Sequence, residues 1–351
     1  MEKLTVKVDK SYDILIGQDI LGSIGHRAKD LNGLGKVLVV SDDIVYSLYG
    51  DVVYNSLKDA GYNVYEFTFN HGEKSKNLNT FSQIINFLAE QGFVRSDLII
   101  ALGGGVVGDI SGFVAASYMR GIDYIQVPTT LLSMIDSSVG GKTAVDLEAG
   151  KNLVGAFYQP RLVLIDTNTL LTLPCIEYKN GMGEGIKYAV LEGGELQKLV
   201  LDGVKLSDSK SITRFVYLCV DSKRKIVEED EKESNIRRLL NLGHTFAHAI
   251  EKLSLYEIPH GLCVAAGLDI IARISNAHSK LSDIDYMTIL NILEKYELNN
   301  MNPYTIDQMI DIIKLDKKVE SDNINFVMPY AFGDCRIEKV QLSKIKEFVK
   351  C

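Results

Sequence analysis

Residues Leu98–Ala116, LIIALGGGVVGDISGFVAA, read as a strand, a glycine turn and a helix. An aliphatic, β-branched run stops at three consecutive glycines, and apolar residues then resume at helical spacing. Gly103, Gly105 and Gly108 satisfy GxGxxG. Such a turn lets backbone N–H groups approach a pyrophosphate at a helix N-terminus, where the helix dipole favours the anion. Two readings stay open on this pattern alone, a dinucleotide site and a purely structural turn. The turn is not in the first βα unit, and no acidic residue ends a strand about 20 residues later, as the usual fingerprint requires. Asp42, at the end of KVLVVSDD, is an earlier candidate for a ribose.

The same texture extends outward from this segment. LTVKV and DILIG near the start, then KVLVVSDD, NVYEFTFN, DYIQVPTT and RLVLIDT, are short β-branched runs separated by helical stretches. This alternation predicts an α/β sheet with crossover helices. After TLLTLPCIEY the texture changes, and from Gly181 to about Gln308 the apolar residues recur at three and four. Only INFVMP near the end reads as another strand. A boundary near Pro174, which stops a helix from running through, predicts an α/β domain over 1–174 and a mostly helical domain over 175–351.

Composition limits the function classes. The chain has 351 residues, enough for two cores, and the net charge of −8 argues against non-specific nucleic-acid binding. Met1 is followed by EKLTVKVDK, with no apolar leader, and no run of about 18 uncharged apolar residues occurs. The expectation is a soluble, cytoplasmic protein with no membrane or nucleic-acid partner. Cys175, Cys219, Cys263, Cys335 and Cys351 form no CxxC pair, which suits reduced thiols.

Further motifs carry chemistry. DSSVGGKTAVDLEAGKNLVGAFYQP contains GGKT, but a Walker loop requires glycine where Asp136 stands. What remains is Lys142, Lys151 and Asn152 in a loop of small residues, either an oxyanion cradle or a solvated loop. Glu184 lies one helical turn before Lys187, as a surface pair or as a metal ligand beside a base. Lys223 and Arg237 bracket the acidic run EEDEKE, which reads as a solvated face. In GHTFAHAIEKLSLYEIPHG, His244 and His248 stand at i and i+4, so both imidazoles can face one cation, and His260 can supply a third. Thr245 follows the first histidine where HExxH proteases have their glutamate, so a protease is not expected.

HGEKSK, GGGVVGD, RGIDYIQVPTTLLSMIDSSVGGKTAVD, GKNLVGAFYQP, GMGEGIKY, RRLLNLGHTFAHAIE and PHG, in this order, closely resemble the 3-dehydroquinate synthase family of sugar-phosphate cyclases. The resemblance runs from about Val37 to Pro329. It implies a Rossmann-like NAD-binding domain followed by an all-α metal-binding domain. NAD contacts are implied for Asp42, Glu73, Lys76, Gly105, Val106, Val107, Gly108, Asp109, Thr129, Thr130, Lys142, Lys151, Thr169, Leu170, Leu171 and Thr172. Glu184, His244 and His260 are implied as ligands of Zn2+ or Co2+, with His248 a proton relay in place of the second helical ligand. Lys142, Asp136, Lys187 and Lys223 are implied in catalysis, and Asn152, Arg237, Asn241 and one of Lys317 or Lys318 in substrate binding. Arg120 is implied to reach the other subunit of a homodimer.

The implied reaction takes 3-deoxy-D-arabino-heptulosonate 7-phosphate to 3-dehydroquinate and phosphate, through transient oxidation by NAD, β-elimination, re-reduction and an intramolecular aldol. Lys142, Asn152 and Arg120 suit a phosphate, and Arg237 with Lys223 suits a carboxylate. The alternatives are a metal-dependent polyol dehydrogenase, which needs no phosphate cradle, and another sugar-phosphate cyclase, whose substrate lacks the carboxylate. A nucleotide-sensing binding module would leave Glu184 and the histidines without a role. The chain departs from the family at Leu262, where a glutamate is usual after HG, at Ala247 in place of a common glycine, and at Ile44, where a polar residue often contacts adenosine. The first departure leaves the partner of the His260 ring undefined.

Overall fold

The computed structural model describes residues 1–231, 236–299, 301–317 and 322–350, without the side chains of 316 and 317. The chain forms two compact units, residues 1–173 with 206–232, and residues 174–205 with 233–351.

The first unit is built on β1 (Glu2–Val6), β2 (Tyr12–Gly17), α1 (Ile24–Asn32), β3 (Lys36–Asp42), α2 (Asp43–Ala60), β4 (Asn63–Phe69), α3 (Leu78–Glu90), β5 (Leu98–Gly103), α4 (Gly105–Ser117), β6 (Asp123–Pro128), β7 (Lys142–Leu147), β8 (Gly150–Phe157) and β9 (Leu162–Asp166). Seven strands form one sheet in the order β1-β2-β9-β6-β5-β3-β4. Only the β1–β2 pair is antiparallel. All seven apolar runs quoted above lie in this sheet.

The period-2 rule explains why the central strands read as unbroken apolar runs. Val37 and Val39 of β3 face one core with Leu98, Ile100 and Leu102 of β5, under Ile24 of α1 and Val53 and Leu57 of α2. Leu38 and Val40 face the other with Ile99, under Ile84 and Leu88 of α3 and Ile110 and Val114 of α4. From β3 the chain moves outward to β4, then returns to β5 and continues the opposite way to β6 and β9. The order therefore reverses between β3 and β5, and ligands of such sheets bind beyond the carboxyl ends at that point.

Two features differ from the sequence expectation. The glycine-rich stretch around Lys142 and Asn152 is not a loop but the antiparallel hairpin β7–β8. A cut near Pro174 also assigns all later helices to one domain, whereas α7 (Ser209–Glu229) belongs with the first unit and packs on the turn at 133–137.

The second unit contains α5 (Cys175–Glu192), α6 (Gly194–Asp202), α8 (His244–Leu253), α9 (His260–Ala277), α10 (Asp283–Lys295), α11 (Ile306–Lys317), β10 (Asn323–Ala331), β11 (Asp334–Gln341) and α12 (Ile345–Phe348). Its central helices are α5, buried without interruption from Asn180 to Val190, and α9, buried from Gly261 to Leu268. Helices buried on every face belong inside a bundle. The strand read in INFVMP is β10, and it pairs with β11 as a hairpin.

Candidate active site

In the second unit, Glu184 comes from the middle of α5, and His244 and His260 are the first residues of α8 and α9. Glycines bring these helices together. A Cβ on Gly183 would lie 1.9 Å from the Gly261 carbonyl oxygen, and one on Gly261 would lie 1.8 Å from that of Asn180. Backbone therefore touches backbone between α5 and α9, beside Glu184 and His260. The Gly261 N–H donates to Asn180 Oδ1 at 2.7 Å, which fixes the start of α9 on α5.

The side chains then converge. Glu184 Oε1 is 3.2 Å from Nε2 of His244 and 3.2 Å from Nε2 of His260. One donor atom from each of the three residues lies within 4.8 Å of the others. Glu184 Oε2 meets Nζ of Lys187 at 2.5 Å, and both residues are buried. Each histidine is held from behind. His244 Nδ1 lies 3.2 Å from the Leu242 carbonyl, and His260 Nδ1 lies 2.9 Å from Glu251 Oε1. With Nδ1 donating to these acceptors, Nε2 of each ring is the atom turned to Glu184, where a cation can take the place of a proton, the usual arrangement behind a metal-binding imidazole.

Electrostatics agree with a cation site. Burial works to raise the Glu184 carboxyl, but the Lys187 ammonium and then His244 hold it well below the usual carboxylate range. Burial likewise disfavours a charged His260, yet hydrogen bonds to Glu184 and Glu251 push its pKa up to about 10. Two carboxylates thus hold a positive charge at the ring, the setting that a divalent cation needs. Two imidazoles and a carboxylate suit Zn2+ or Co2+ and leave coordination positions open.

His248 is not part of this donor group. Its ring stands perpendicular to that of His244 with centroids 5.5 Å apart, and the residue is exposed. The i, i+4 expectation of two ligands from one helix is therefore corrected, because Glu184 and His260 converge on His244 alone. Arg237 and Asn241 lie in the turn Ile236–Asn241 that leads into α8, and Arg237 is 1% exposed. Lys318 and the side chain of Lys317 lie outside the described residues.

In the first unit, the residues expected at a dinucleotide lie along one edge of the sheet. Asp42 ends β3 and caps α2, accepting from the Val45 N–H at 2.9 Å. The glycine turn joins β5 to α4, whose first turn has no side-chain cap and no acidic residue, so its N–H groups suit an anion. Thr129 and Thr130 follow β6, and Thr169 to Thr172 follow β9. The buried Thr129 Oγ1 has no hydrogen-bond partner among the described residues. Val107 and Leu170 are wholly buried, whereas Leu171 is exposed.

HGEKSK joins this edge through ion pairs. Lys76 Nζ is 2.5 Å from Asp109 Oδ2 and donates to Asn152 Oδ1 at 2.5 Å, while Lys151 pairs with Glu73 at 3.2 Å. Burial would lower the Lys76 pKa, but Asp109 and Glu73 raise it. The turn at 133–137 abuts Gly105, where a Cβ would lie 3.2 Å from Ser137 Oγ. In that turn Asp136 accepts from Lys223 Nζ through its carbonyl at 2.7 Å and through Oδ1 at 2.8 Å. Lys142 opens β7 and is exposed. Arg120 stands apart. It precedes β6, at the opposite end of that strand from Thr129, with a left-handed φ of 63°.

Glu251 and Asn180 are the residues that sequence reasoning missed. Glu251 stands seven residues after His244, two helical turns on the same face, which was the available signal.

Comparisons with known proteins identify the family and the fold. The family model described as 3-dehydroquinate synthase N-terminal matches residues 66–180, and the one described as 3-dehydroquinate synthase C-terminal matches 181–319. The 3-dehydroquinate synthase of Clostridium acetobutylicum is 44% identical over 349 residues, 97% of this chain and 96% of that protein. Among solved structures, a 2-deoxy-scyllo-inosose synthase complexed with carbaglucose-6-phosphate, NAD+ and Co2+ superposes with a TM-score of 0.90 at 26% identity, over 99% of both chains. The 2-epi-5-epi-valiolone synthase of Streptomyces hygroscopicus, with NAD+ and Zn2+ bound, gives 0.88 at 25% identity, over 99% of this chain and 98% of that one.

Proposed function

The chain belongs to the 3-dehydroquinate synthase family, and from that premise we propose that it converts 3-deoxy-D-arabino-heptulosonate 7-phosphate to 3-dehydroquinate and phosphate. The observation that carries this reading is the convergence of Glu184, His244 and His260 within 4.8 Å, in a chain of this family.

In this reading Glu184, His244 and His260 hold Zn2+ or Co2+. NAD is held by the loops that end β3, β5, β6 and β9, with Glu73, Lys76, Asp109 and Lys151 at their side. When bound, the metal acidifies a substrate hydroxyl and NAD accepts and returns one hydride. The protein's own groups bind, orient and move protons. Arg237, always charged and buried, is suited to pair with the substrate carboxylate through its planar fork, with Asn241 in the same turn. Lys142 and Asn152, at the two ends of the β7–β8 hairpin, serve the phosphate. Lys187 steadies the Glu184 carboxylate and Asp136 holds the Lys223 ammonium. His248, exposed beside His244, passes protons between the site and water. One of Lys317 or Lys318 completes the substrate contacts.

We assign Arg120 to a partner copy's site in a homodimer. It precedes a six-residue strand whose far end carries Thr129, a separation of about 20 Å, beyond the reach of an arginine side chain. Among the described residues no helix is long and apolar enough to cross a membrane. Cys175, Cys219, Cys263 and Cys335 form no disulfide among the described residues, which suits a reducing compartment such as the cytoplasm.

The test supplies the heptulosonate phosphate, metal and NAD far below substrate concentration. Because hydride leaves and returns within one turnover, many equivalents of phosphate should appear per NAD while the NADH absorbance stays flat. Steady NADH accumulation, or glycerol oxidation without phosphate release, would replace this reading with a polyol dehydrogenase.

A further inference from the structure

We infer that Glu251 is the positioning residue of the metal site, holding the His260 ring so that Nε2 is presented to the cation. The inference rests on the reading that Glu184, His244 and His260 bind a metal.

Glu251 accepts from His260 Nδ1 at 2.9 Å, while Nε2 of the same ring faces Glu184 Oε1 at 3.2 Å. The imidazole is thus gripped at both nitrogens by carboxylates from two different helices, α8 and α5. A ring fixed at Nδ1 cannot turn about its χ2 without breaking that bond, and a proton fixed there keeps the Nε2 lone pair for the metal. Close by in sequence, Leu262 is buried and apolar and offers no acceptor.

The placement of Glu251 is costly, which argues against packing alone as its role. The residue is 8% exposed, and burying a carboxylate is unfavourable unless it is paired. It also lies in the last turn of α8 (His244–Leu253), where the helix dipole repels a negative charge. An apolar side chain would fill this position without either penalty. The α8 backbone is tied down there, with the Glu251 carbonyl accepting from Tyr256 N–H at 2.7 Å and from Ser254 Oγ at 3.0 Å. Glu251 is therefore a fixed support, seven residues along the same helix face from His244.

The experiment is a Zn2+ and Co2+ titration of the full chain against a chromophoric chelator, for wild type, Glu251→Ala and Glu251→Gln. Melting of the metal-free proteins is followed in parallel. Partners behind a metal ligand are worth about 10–100-fold in affinity, so Glu251→Ala should weaken both metals by that factor. Glu251→Gln keeps an acceptor oxygen but lacks the charge, and should fall between wild type and alanine. If Glu251→Ala does not fold, Glu251→Gln decides, with a loss of roughly threefold or more expected. Wild-type affinity in a folded Glu251→Ala, or in Glu251→Gln where alanine fails, overturns the inference. A wild-type protein that binds neither metal overturns the metal-site reading itself, and the inference with it.

Discussion

Gly261→Ala should uncouple the metal site from the fold, because the α5–α9 crossing that aligns Glu184 and His260 has no room for a methyl group. A Cβ at Gly261 would stand 1.8 Å from the Asn180 carbonyl oxygen. A carbon–oxygen contact settles near 3.3 Å, so the helices must part by about 1.5 Å. Metal–ligand distances tolerate only about 0.2 Å, several times less than this shift, and His260 immediately precedes the substituted residue. Overpacking of this kind costs about 1–3 kcal/mol of stability. A misplacement near 1 Å costs about a hundredfold in turnover. Metal affinity should fall at least about tenfold, by the same geometric argument. Chelator competition measures the affinity, phosphate release the turnover, and thermal melting the stability. Gly183→Ala, whose Cβ would lie 1.9 Å from the Gly261 oxygen, should behave alike, and Gly22→Ala, with nothing within 4 Å, should be silent. A folded Gly261→Ala with wild-type metal affinity and turnover would refute the claim that this crossing sets the site.

His260→Ala should lose metal and activity together, whereas His248→Ala should keep most of its metal as turnover falls; elemental analysis beside a rate assay separates them, and the reverse pattern would restore the helical pair as the ligands. Arg237→Ala should cost roughly 2–5 kcal/mol in transition-state binding, with little further loss for an analogue lacking the carboxylate; equal losses for both substrates would mean that Arg237 does not read that group. Lys76→Met leaves Asp109 unpaired and should destabilise by roughly 3–5 kcal/mol, part of which Lys76→Met with Asp109→Asn recovers in denaturant titrations. Since the folded pKa of Lys76 is raised, its stabilisation is fully present below the ordinary lysine value and is lost as pH rises through the folded one, so the mutant and wild-type stability curves should approach each other in alkali, and again in acid, where Asp109, whose carboxyl burial pushes up, takes up a proton and no longer needs a partner.

The parallel sheet was legible because its strands are short apolar runs bounded by turn residues, and each of the seven quoted runs lies in it. The β7–β8 hairpin was not read, although TAVDL and KNLVGAF alternate, because glycines at 140, 141, 150 and 155 gave the segment the composition of a loop. Gly155 instead allows close packing inside the hairpin, where a Cβ would meet the Thr143 carbonyl at 2.0 Å. β11 was missed for a similar reason. DCRIEKVQ is mostly polar, and its exposed residues follow from its place on a two-stranded sheet, where one face is solvated. The assignment of α7 to the first unit leaves no local trace, since amphipathic spacing states that a helix has a buried face but not which partner covers it.

The metal site shows where a helical periodicity argument stops. Residues at i and i+4 share a face, but they are offset along the axis by about 6 Å, so two imidazoles meet one cation only when it sits between the turns. Here the other donors come level with the first turn of α8, because His260 begins α9 and the glycine contact sets α9 against α5 at Glu184. A second contact adds to this, as a Cβ on Gly267 of α9 would lie 2.1 Å from the carbonyl of Gly243, the residue before His244. The proposed ligand set is thus brought together by two backbone approaches between helices, and His248, a turn beyond their level, is exposed. The same approaches place Glu251 behind His260. Spacing within GHTFAHAIE states that Glu251 shares a face with His244, while the choice of His260 as its partner depends on the α8–α9 crossing, which no single segment encodes.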